Sequence, residues 1–351
     1  MMKLFTVGPV MMYPETLAES GEQLPYFRTD EFSQLMLDSD RILRGLVNAP
    51  EGSRSVFLTA SGTGAMEAAA GCGFTSTDRV LIISGGGFGH RFAEICDVHG
   101  IPHDDVELKW DEALEPKHLD EFKGRGYVAL LVNMDETSTG QLYDIGMISD
   151  FCRSEGMMLV VDAISAFLAD PIDMSADSID ALIISSQKAL ALEPGTSMVV
   201  LSPRMISRIE GIDSHMFYLD LKHHLRDMVR GQTPFTPAVG TLLCLNSMLK
   251  SIESQGIDAK IERTAGLARY FRRRARDRGF SIPSYPLSNA VTPLIFEGDA
   301  KRVYSELRSR FDITVTPSGG DLGDTLLRIG HLGNLEESDY DDLIAALEAV
   351  H

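Results

Sequence analysis

A chain of 351 residues, 44% of them hydrophobic, can bury one large core and a smaller second one, and its 31 glycines and 15 prolines are too few to suggest disorder. No apolar run reaches the roughly 18–20 residues that span a bilayer, and the first residues lack the long apolar stretch of a signal peptide, so the expectation is a soluble, cytoplasmic protein. A formal net charge of −19 disfavours nucleic acid and anionic membranes as partners.

Six short apolar runs rich in Val, Ile and Leu come first in chain order: 55–60, 79–84, 127–134, 158–163, 181–186 and 197–202. Continuous rather than alternating, they suit strands buried on both faces of a parallel sheet. Helix candidates lie between them at Gly64–Gly71, Phe88–His99 and Ile145–Glu155, with a short one after Asp170. This rhythm predicts an α/β domain whose ligand site lies beyond the carboxyl ends of its strands. After about residue 203 the pattern changes. Helices are expected over 237–254 and 257–278, strands near Val291–Phe296, Ile313–Thr316 and Thr325–Ile329, a Gly-rich turn at Ser318–Gly320, and a last helix over Glu336–Val350. These describe a smaller α+β domain, with the division drawn between 1–250 and 251–351. The four cysteines, Cys72, Cys96, Cys152 and Cys244, form no CxxC pair and sit in apolar segments, which favours buried free thiols and no metal site.

Three features carry chemistry. Lys188 follows the apolar run ALIISSQ, and a desolvated lysine amine is a good Schiff-base nucleophile. Asp162 ends the run MLVVD, where a carboxylate is costly unless paired; a pyridinium nitrogen is a suitable partner. Ser61-Gly62-Thr63-Gly64 runs from a strand into a helix, and small residues there offer backbone N–H groups and a positive dipole end to a phosphate. The order of phosphate cup, acid and lysine resembles the fold-type I pyridoxal-phosphate enzymes.

Within that group the chain resembles the class V aminotransferases, and is similar to the alanine–glyoxylate, serine–glyoxylate and 2-aminoethylphosphonate–pyruvate subgroup. The likeness runs from Val7–Pro9 (VGP) to Arg328–Gly333 (RIGHLG). It implies a large domain with a mostly parallel sheet flanked by helices, a small C-terminal domain, and pyridoxal 5′-phosphate as cofactor. It also implies Ser61, Gly62, Thr63 and Gln187 at the cofactor phosphate, Phe88 stacked on its ring with Ile164 on the opposite face, and Ser138 near its phenolic oxygen. Asp162 would stand at the ring nitrogen and Lys188 would be the covalent attachment and proton shuttle. Thr233 and Thr236, in GQTPFTP, would reach the phosphate of a neighbouring subunit, making a homodimer with shared sites. Arg328 would clamp a substrate carboxylate, and Gly8 and Arg28, with Tyr26 and Phe27, would line the substrate channel. In MDETSTG, Glu136 and Ser138 match the family segment, but Met134 stands where the family usually has histidine. His90 is expected at a helix start and Asp135 in a solvated turn. The implied activity is transfer of an amino group from a small donor to glyoxylate or pyruvate. A lyase on the same scaffold is the alternative; a non-catalytic cofactor-binding regulator fits the acidic charge poorly.

Overall fold

A computed structural model describes residues 2–351. The chain opens with β1 (Lys3–Phe5), α1 (Pro14–Ser20) and α2 (Asp30–Leu46), then β2 (Arg54–Leu58), α3 (Gly62–Gly73), β3 (Val80–Ser84), α4 (Gly89–His99) and β4 (His103–Glu107). There follow α5 (Lys117–Asp120), β5 (Ala129–Asn133), the small ribbon β6 (Asp135–Glu136) and β7 (Gln141–Leu142), α6 (Ile145–Glu155), β8 (Met158–Asp162), β9 (Ala181–Ser185) and β10 (Ser197–Leu201). The remainder is α7 (Pro203–Gly211), α8 (Leu221–Met228), α9 (Val239–Gln255), α10 (Ile257–Asp277), β11 (Val291–Ile295), α11 (Ala300–Phe311), β12 (Ile313–Pro317), β13 (Leu326–Gly330) and α12 (Glu337–Val350).

The six apolar runs become β2, β3, β5, β8, β9 and β10 of a seven-stranded sheet ordered β2-β10-β9-β8-β5-β3-β4. All its pairs are parallel except those of β10, which runs antiparallel to β2 and β9. Alternation along each strand divides its side chains between two cores. Leu81, Ile83, Leu130, Val132, Leu159 and Val161 pack on one face; Val80, Ile82, Ala129, Leu131, Met158 and Val160 pack on the other. With both faces covered, the strands need apolar residues at every position, which is why they read as unbroken runs. All four cysteines are buried free thiols.

The second sheet is ordered β1-β12-β13-β11. Its core gathers Phe5 with residues from Leu267 to Val350, and the Tyr340 ring packs at a tilt against Phe5 (5.3 Å) and Phe271 (5.6 Å). The chain's first strand thus completes a sheet built from its last hundred residues, through parallel pairing of Lys3–Phe5 with Ile313–Val315. The division drawn at 250/251 falls inside α9. Among the described residues, no helix is long and apolar enough to cross a membrane.

Two expectations need correction. The helix expected after Asp170 does not form. Met174 and Ser175 give their N–H groups to the carbonyls of Val47 and Asn48 beyond α2, and the Asp173 carboxylate takes the N–H of Ala176, so the donors a helix would use are spent elsewhere. Strand β4, HDDVE, was not anticipated: it is the sheet's edge, half of it solvated, and lacks an apolar signature.

The parallel strands β8 and β9 end side by side, with Asp162 paired to Ile183, and the amino ends of α3 and α4 open at the same edge. A test of the second core is Phe5→Ala. The ring is fully buried, so the substitution should lower the unfolding free energy by about 3–5 kcal/mol in chemical denaturation. A loss within error of zero would show that β1 is dispensable.

Candidate active site

The first wall of the site is the start of α3. Ser61 caps the helix in an extended conformation but makes no side-chain cap bond, so its hydroxyl is unspent. The N–H groups of the first turn have no intrahelical acceptors. A side chain at Gly62 would put its Cβ 2.3 Å from Ile164 Cδ1, so glycine lets Ile164 rise against the helix end. Thr63 Oγ1 accepts from Arg91 Nη1 at 3.3 Å. Thr59 Oγ1 accepts from the N–H of Ala238 at 3.0 Å, which anchors the loop carrying Thr233 and Thr236 to this corner.

The floor holds Asp162 and Lys188. Asp162 takes the N–H of Ile164 at 2.8 Å on one oxygen. Burial pushes its carboxyl up to about 7, against the opposing pull of that hydrogen bond and of Lys188. Lys188 is buried, and its Nζ donates to the Val7 carbonyl at 2.6 Å. Burial brings its amine down to about 8, while Asp135 and Asp162 act to raise it. Gly8 has φ +131°, and a Cβ there would fall 2.6 Å from Lys188 Cδ; the turn expected to line the channel lies against the lysine stem. Gln187 Oε1 accepts from Ser185 Oγ at 2.5 Å, leaving its amide nitrogen available.

The second wall is organised by Glu136, which is wholly buried. Its carboxylate accepts from the N–H groups of Phe88 (3.2 Å), Gly89 (2.9 Å) and Ser138 (3.0 Å), from Asn133 Nδ2 (3.0 Å), and from the Ser138 hydroxyl. Ser138 Oγ also accepts from Gly87 N–H at 3.1 Å. The loop Gly85–Gly89 is thereby wrapped on one carboxylate, and a Cβ on Gly86 would collide with Ser138 Oγ at 2.3 Å. Phe88 is half-buried at the start of α4, with the Arg91 guanidinium 5.6 Å from its ring centre.

Arg328, on β13, faces this wall. It donates to the carbonyls of Thr137 (2.9 Å) and Pro317 (2.8 Å), and its buried Nε has no partner. Burial lowers it to about 10, opposed by Glu136 and Asp135. Between the glycine loop and Arg328 lies a cavity of about 460 Å³, also lined by Arg91, Trp110, Ser138 and residues 318–322.

Other expected residues lie elsewhere. Arg28 donates to Gln232 Oε1 (3.0 Å) and to the Thr233 carbonyl (2.9 Å), and sits over the Phe27 ring at 4.7 Å, so within this chain it braces the 232–234 loop. The Thr233 hydroxyl goes to the Phe235 carbonyl at 2.7 Å, whereas Thr236 is exposed. His90 is exposed in the first turn of α4, and Met134 is packed into the core. Asp135 corrects the sequence reading: it is not solvated but buried, with no hydrogen-bond partner on either carboxyl oxygen. Alternation along the ribbon β6 turns it inward, which the polar string DETST conceals. Arg91 was also missed; its place three residues after Phe88, one helical turn on, was the available signal.

The arrangement fits a phosphorylated pyridine aldehyde. A helix end with free donors suits the phosphate, the desolvated amine suits the aldehyde, and Asp162 offers an unbonded oxygen where a ring nitrogen would need one. Comparison with known proteins agrees. Residues 23–281 match the family Aminotransferase class-V, and the chain belongs to that family; it is a transaminase of the fold-type I pyridoxal-phosphate architecture. It is 29% identical to the soluble hydrogenase small subunit of Synechococcus sp., over 99% of this chain and 92% of that protein. It is 31% identical to the 2-aminoethylphosphonate–pyruvate transaminase of Pseudomonas putida, over 74% and 73%. The solved alanine–glyoxylate aminotransferase of Nostoc sp. superposes with a TM-score of 0.93 at 25% identity, covering 99% of this chain and 95% of that one.

The buried carboxyl at Asp162 makes a prediction about stability. Its proton is held more tightly in the folded, cofactor-free chain than in the unfolded one, so the wild type should lose stability as pH rises from about 4, the unfolded carboxyl value, towards the folded value of about 7. Asp162→Asn keeps the acceptor for Ile164 and removes the charge. Denaturation of cofactor-free protein at pH 4, 6 and 8 should show the variant gaining on the wild type as pH rises. A constant difference would place the titration elsewhere.

Proposed function

We propose that the protein holds pyridoxal 5′-phosphate on Lys188 and moves an amino group from alanine, serine or 2-aminoethylphosphonate to glyoxylate or pyruvate. The observation that carries this reading is the meeting of Lys188 and Asp162 at the ends of neighbouring strands, between a helix end with free donors and the half-free guanidinium of Arg328. Ser61, Gly62, Thr63 and Gln187 would hold the phosphate; Phe88 and Ile164 would enclose the ring, with Ser138 at its edge. When bound, the cofactor supplies an electron-withdrawing ring that makes the substrate Cα acidic.

The chain's own residues do the rest. Asp162 keeps a proton on the ring nitrogen, an assignment suited to a carboxyl whose burial leaves it seeking a partner. Lys188 takes the proton from Cα and delivers it to the next carbon of the conjugated system, and an amine brought down to about 8 has a far larger unprotonated fraction near neutral pH than an ordinary lysine. Arg328 fixes the substrate carboxylate with the donors that Thr137 and Pro317 leave free. Glu136 holds the glycine loop, and so Phe88, in one position. The bound group would serve as the carrier of the amino group between the donor's half-reaction and the acceptor's.

The working unit in this reading is a homodimer with shared sites. Phe217 (74% exposed) and Tyr218 (43%) cluster on Phe235 beside the exposed Thr236, an aromatic patch suited to a second copy. Four buried free thiols suit a cytoplasmic setting.

Borohydride treatment of cofactor-loaded protein should fix the cofactor to the peptide bearing Lys188, and a grid of the three donors against glyoxylate and pyruvate should return at least one active pair that Lys188→Ala abolishes. Label on another lysine would overturn the assignment. Shared sites are tested by mixing inactive Lys188→Ala chains with Thr236→Ala chains, which should bind cofactor weakly. Hybrid dimers concentrate both lesions in one site and should regain activity in the other. Proven exchange without recovery would count against a site built from both copies.

A further inference from the structure

Among the described residues the amine of Lys188 has one hydrogen-bond partner, the Val7 carbonyl at 2.6 Å. That partner lies outside the regular elements. Strand β1 ends at Phe5, where its parallel ladder with β12 closes on the pair Phe5–Val315. Val7, two residues on, is buried, and its N–H needs an acceptor there. The acceptor is a side chain, Thr316 Oγ1, at 3.2 Å. Thr316 is the next residue of β12 and stands opposite Arg328 of β13. Val7 is therefore tied through its N–H to the strand beside the arginine, and through its carbonyl to the lysine. Two glycines permit the approach. A Cβ on Gly330, two residues after Arg328, would fall 2.2 Å from the Thr6 carbonyl oxygen and 3.2 Å from the Val7 nitrogen, so the backbone of Thr6 and Val7 lies directly on β13. A Cβ on Gly8 would meet Lys188 Cδ at 2.6 Å and Cε at 2.9 Å, so its absence lets the chain pass along the lysine stem.

We propose that Thr316 is a positioning residue for Lys188: its hydroxyl fixes Val7, and the Val7 carbonyl in turn receives the lysine amine whenever that amine is free and protonated. The proposal rests on the assignment of Lys188 made above. In the transfer step the Cα–H bond breaks and an N–H bond forms on Lys188 Nζ. The electron pair stays with the substrate carbon and its conjugated partner. The new N–H bond then breaks as the proton passes to the next carbon, leaving the amine neutral. Between the two events an ammonium stands in a buried site and needs an acceptor.

A carbonyl at hydrogen-bond distance stabilises the ammonium over the neutral amine, because the charge-assisted bond is the stronger of the two. It keeps that place only while the N–H of the same residue is fastened. The charged groups that act on Lys188 from the surrounding elements are Asp135 of β6 and Asp162 of β8, which favour the ammonium, and Arg328 of β13, which with burial opposes it. None of the three is bonded to Nζ, so the direct contact belongs to Val7.

The test reads the lysine directly. Thr316→Val keeps the branched shape that suits a strand and removes the hydroxyl, which leaves the Val7 N–H buried without an acceptor and should draw Val7 out of place. In cofactor-free protein, competitive labelling with acetic anhydride over a pH series, followed by mass spectrometry of the Lys188 peptide, gives the midpoint at which its amine becomes reactive. The ammonium loses its acceptor in Thr316→Val, so the midpoint should move down by on the order of one pH unit, and Thr316→Ser should restore it. The direction separates this from damage to the fold: a loosened site admits water and raises the midpoint towards that of an ordinary lysine, about 10.4. A midpoint that stays or rises overturns the proposal. Gly330→Ala displaces Thr6 and Val7 with the Thr316 hydroxyl still present and should also lower the midpoint; where Thr316→Val does not fold, it carries the same reading. In the loaded enzyme, with the donor and oxo acid found active in the grid above, Thr316→Val should lower kcat by about tenfold. The KM for the oxo acid should be unchanged, since Arg328 keeps its contacts with Thr137 and Pro317. A raised KM with kcat intact overturns the proposal. Borohydride label on a different lysine would sink the functional reading instead, and leaves the midpoint of Lys188 measurable.

Discussion

Desolvation at the carboxyl ends of β8 and β9 is the constraint on which the site depends. Two parallel strands, buried on both faces, can end in ionisable groups only if each group finds a partner or changes its protonation. Asp162 and Lys188 meet that demand in opposite senses: the same burial that raises the acid lowers the amine. Both are thereby brought towards neutral pH from opposite sides. The fold supplies this without any special residue chemistry, simply by placing the strand ends under two packed layers.

Around that floor, rigidity comes from one carboxylate. Glu136 spends its acceptor capacity on the backbone of the glycine loop, on Ser138 and on Asn133. The glycines matter for what they permit: Gly86 lets the loop approach Ser138, and Gly62 lets Ile164 approach the helix end. The positions of Phe88 and Ile164 are therefore set by close approaches that only glycine allows.

Much of this was legible in the order of residues. Lys188, Asp162 and the small-residue turn at Ser61–Gly64 stand out because each breaks an apolar run at its end, and the six runs that carry them register as strands through their unbroken hydrophobicity. Edge and surface features were less visible. Strand β4 is half solvated and spells HDDVE, and the segment after Asp170 resembles a helix until Val47 and Asn48 take its donors, a contact across more than a hundred residues. Asp135 is the instructive failure. In DETST the local composition says turn, and only the ribbon's pleat and the packing of Ser288 and Asp170 around it bury the side chain. The contacts of Arg28 within the chain were hidden for the same reason: its partners, Gln232 and Thr233, lie some two hundred residues away.

The first strand has a mechanical meaning. Because β1 pairs with β12, and β12 with β13, the strand leading into Val7 and Gly8 belongs to the same sheet as Arg328. The Val7 carbonyl accepts from Lys188 Nζ, and the Val7 N–H donates to Thr316 Oγ1 on β12, which is paired with Arg328 on β13. Thr316 thus joins the backbone that holds the lysine to the strand that carries the arginine. The C-terminal sheet therefore fixes the spacing between Arg328 and the backbone that holds Lys188, so a change in the register of β12 would move both.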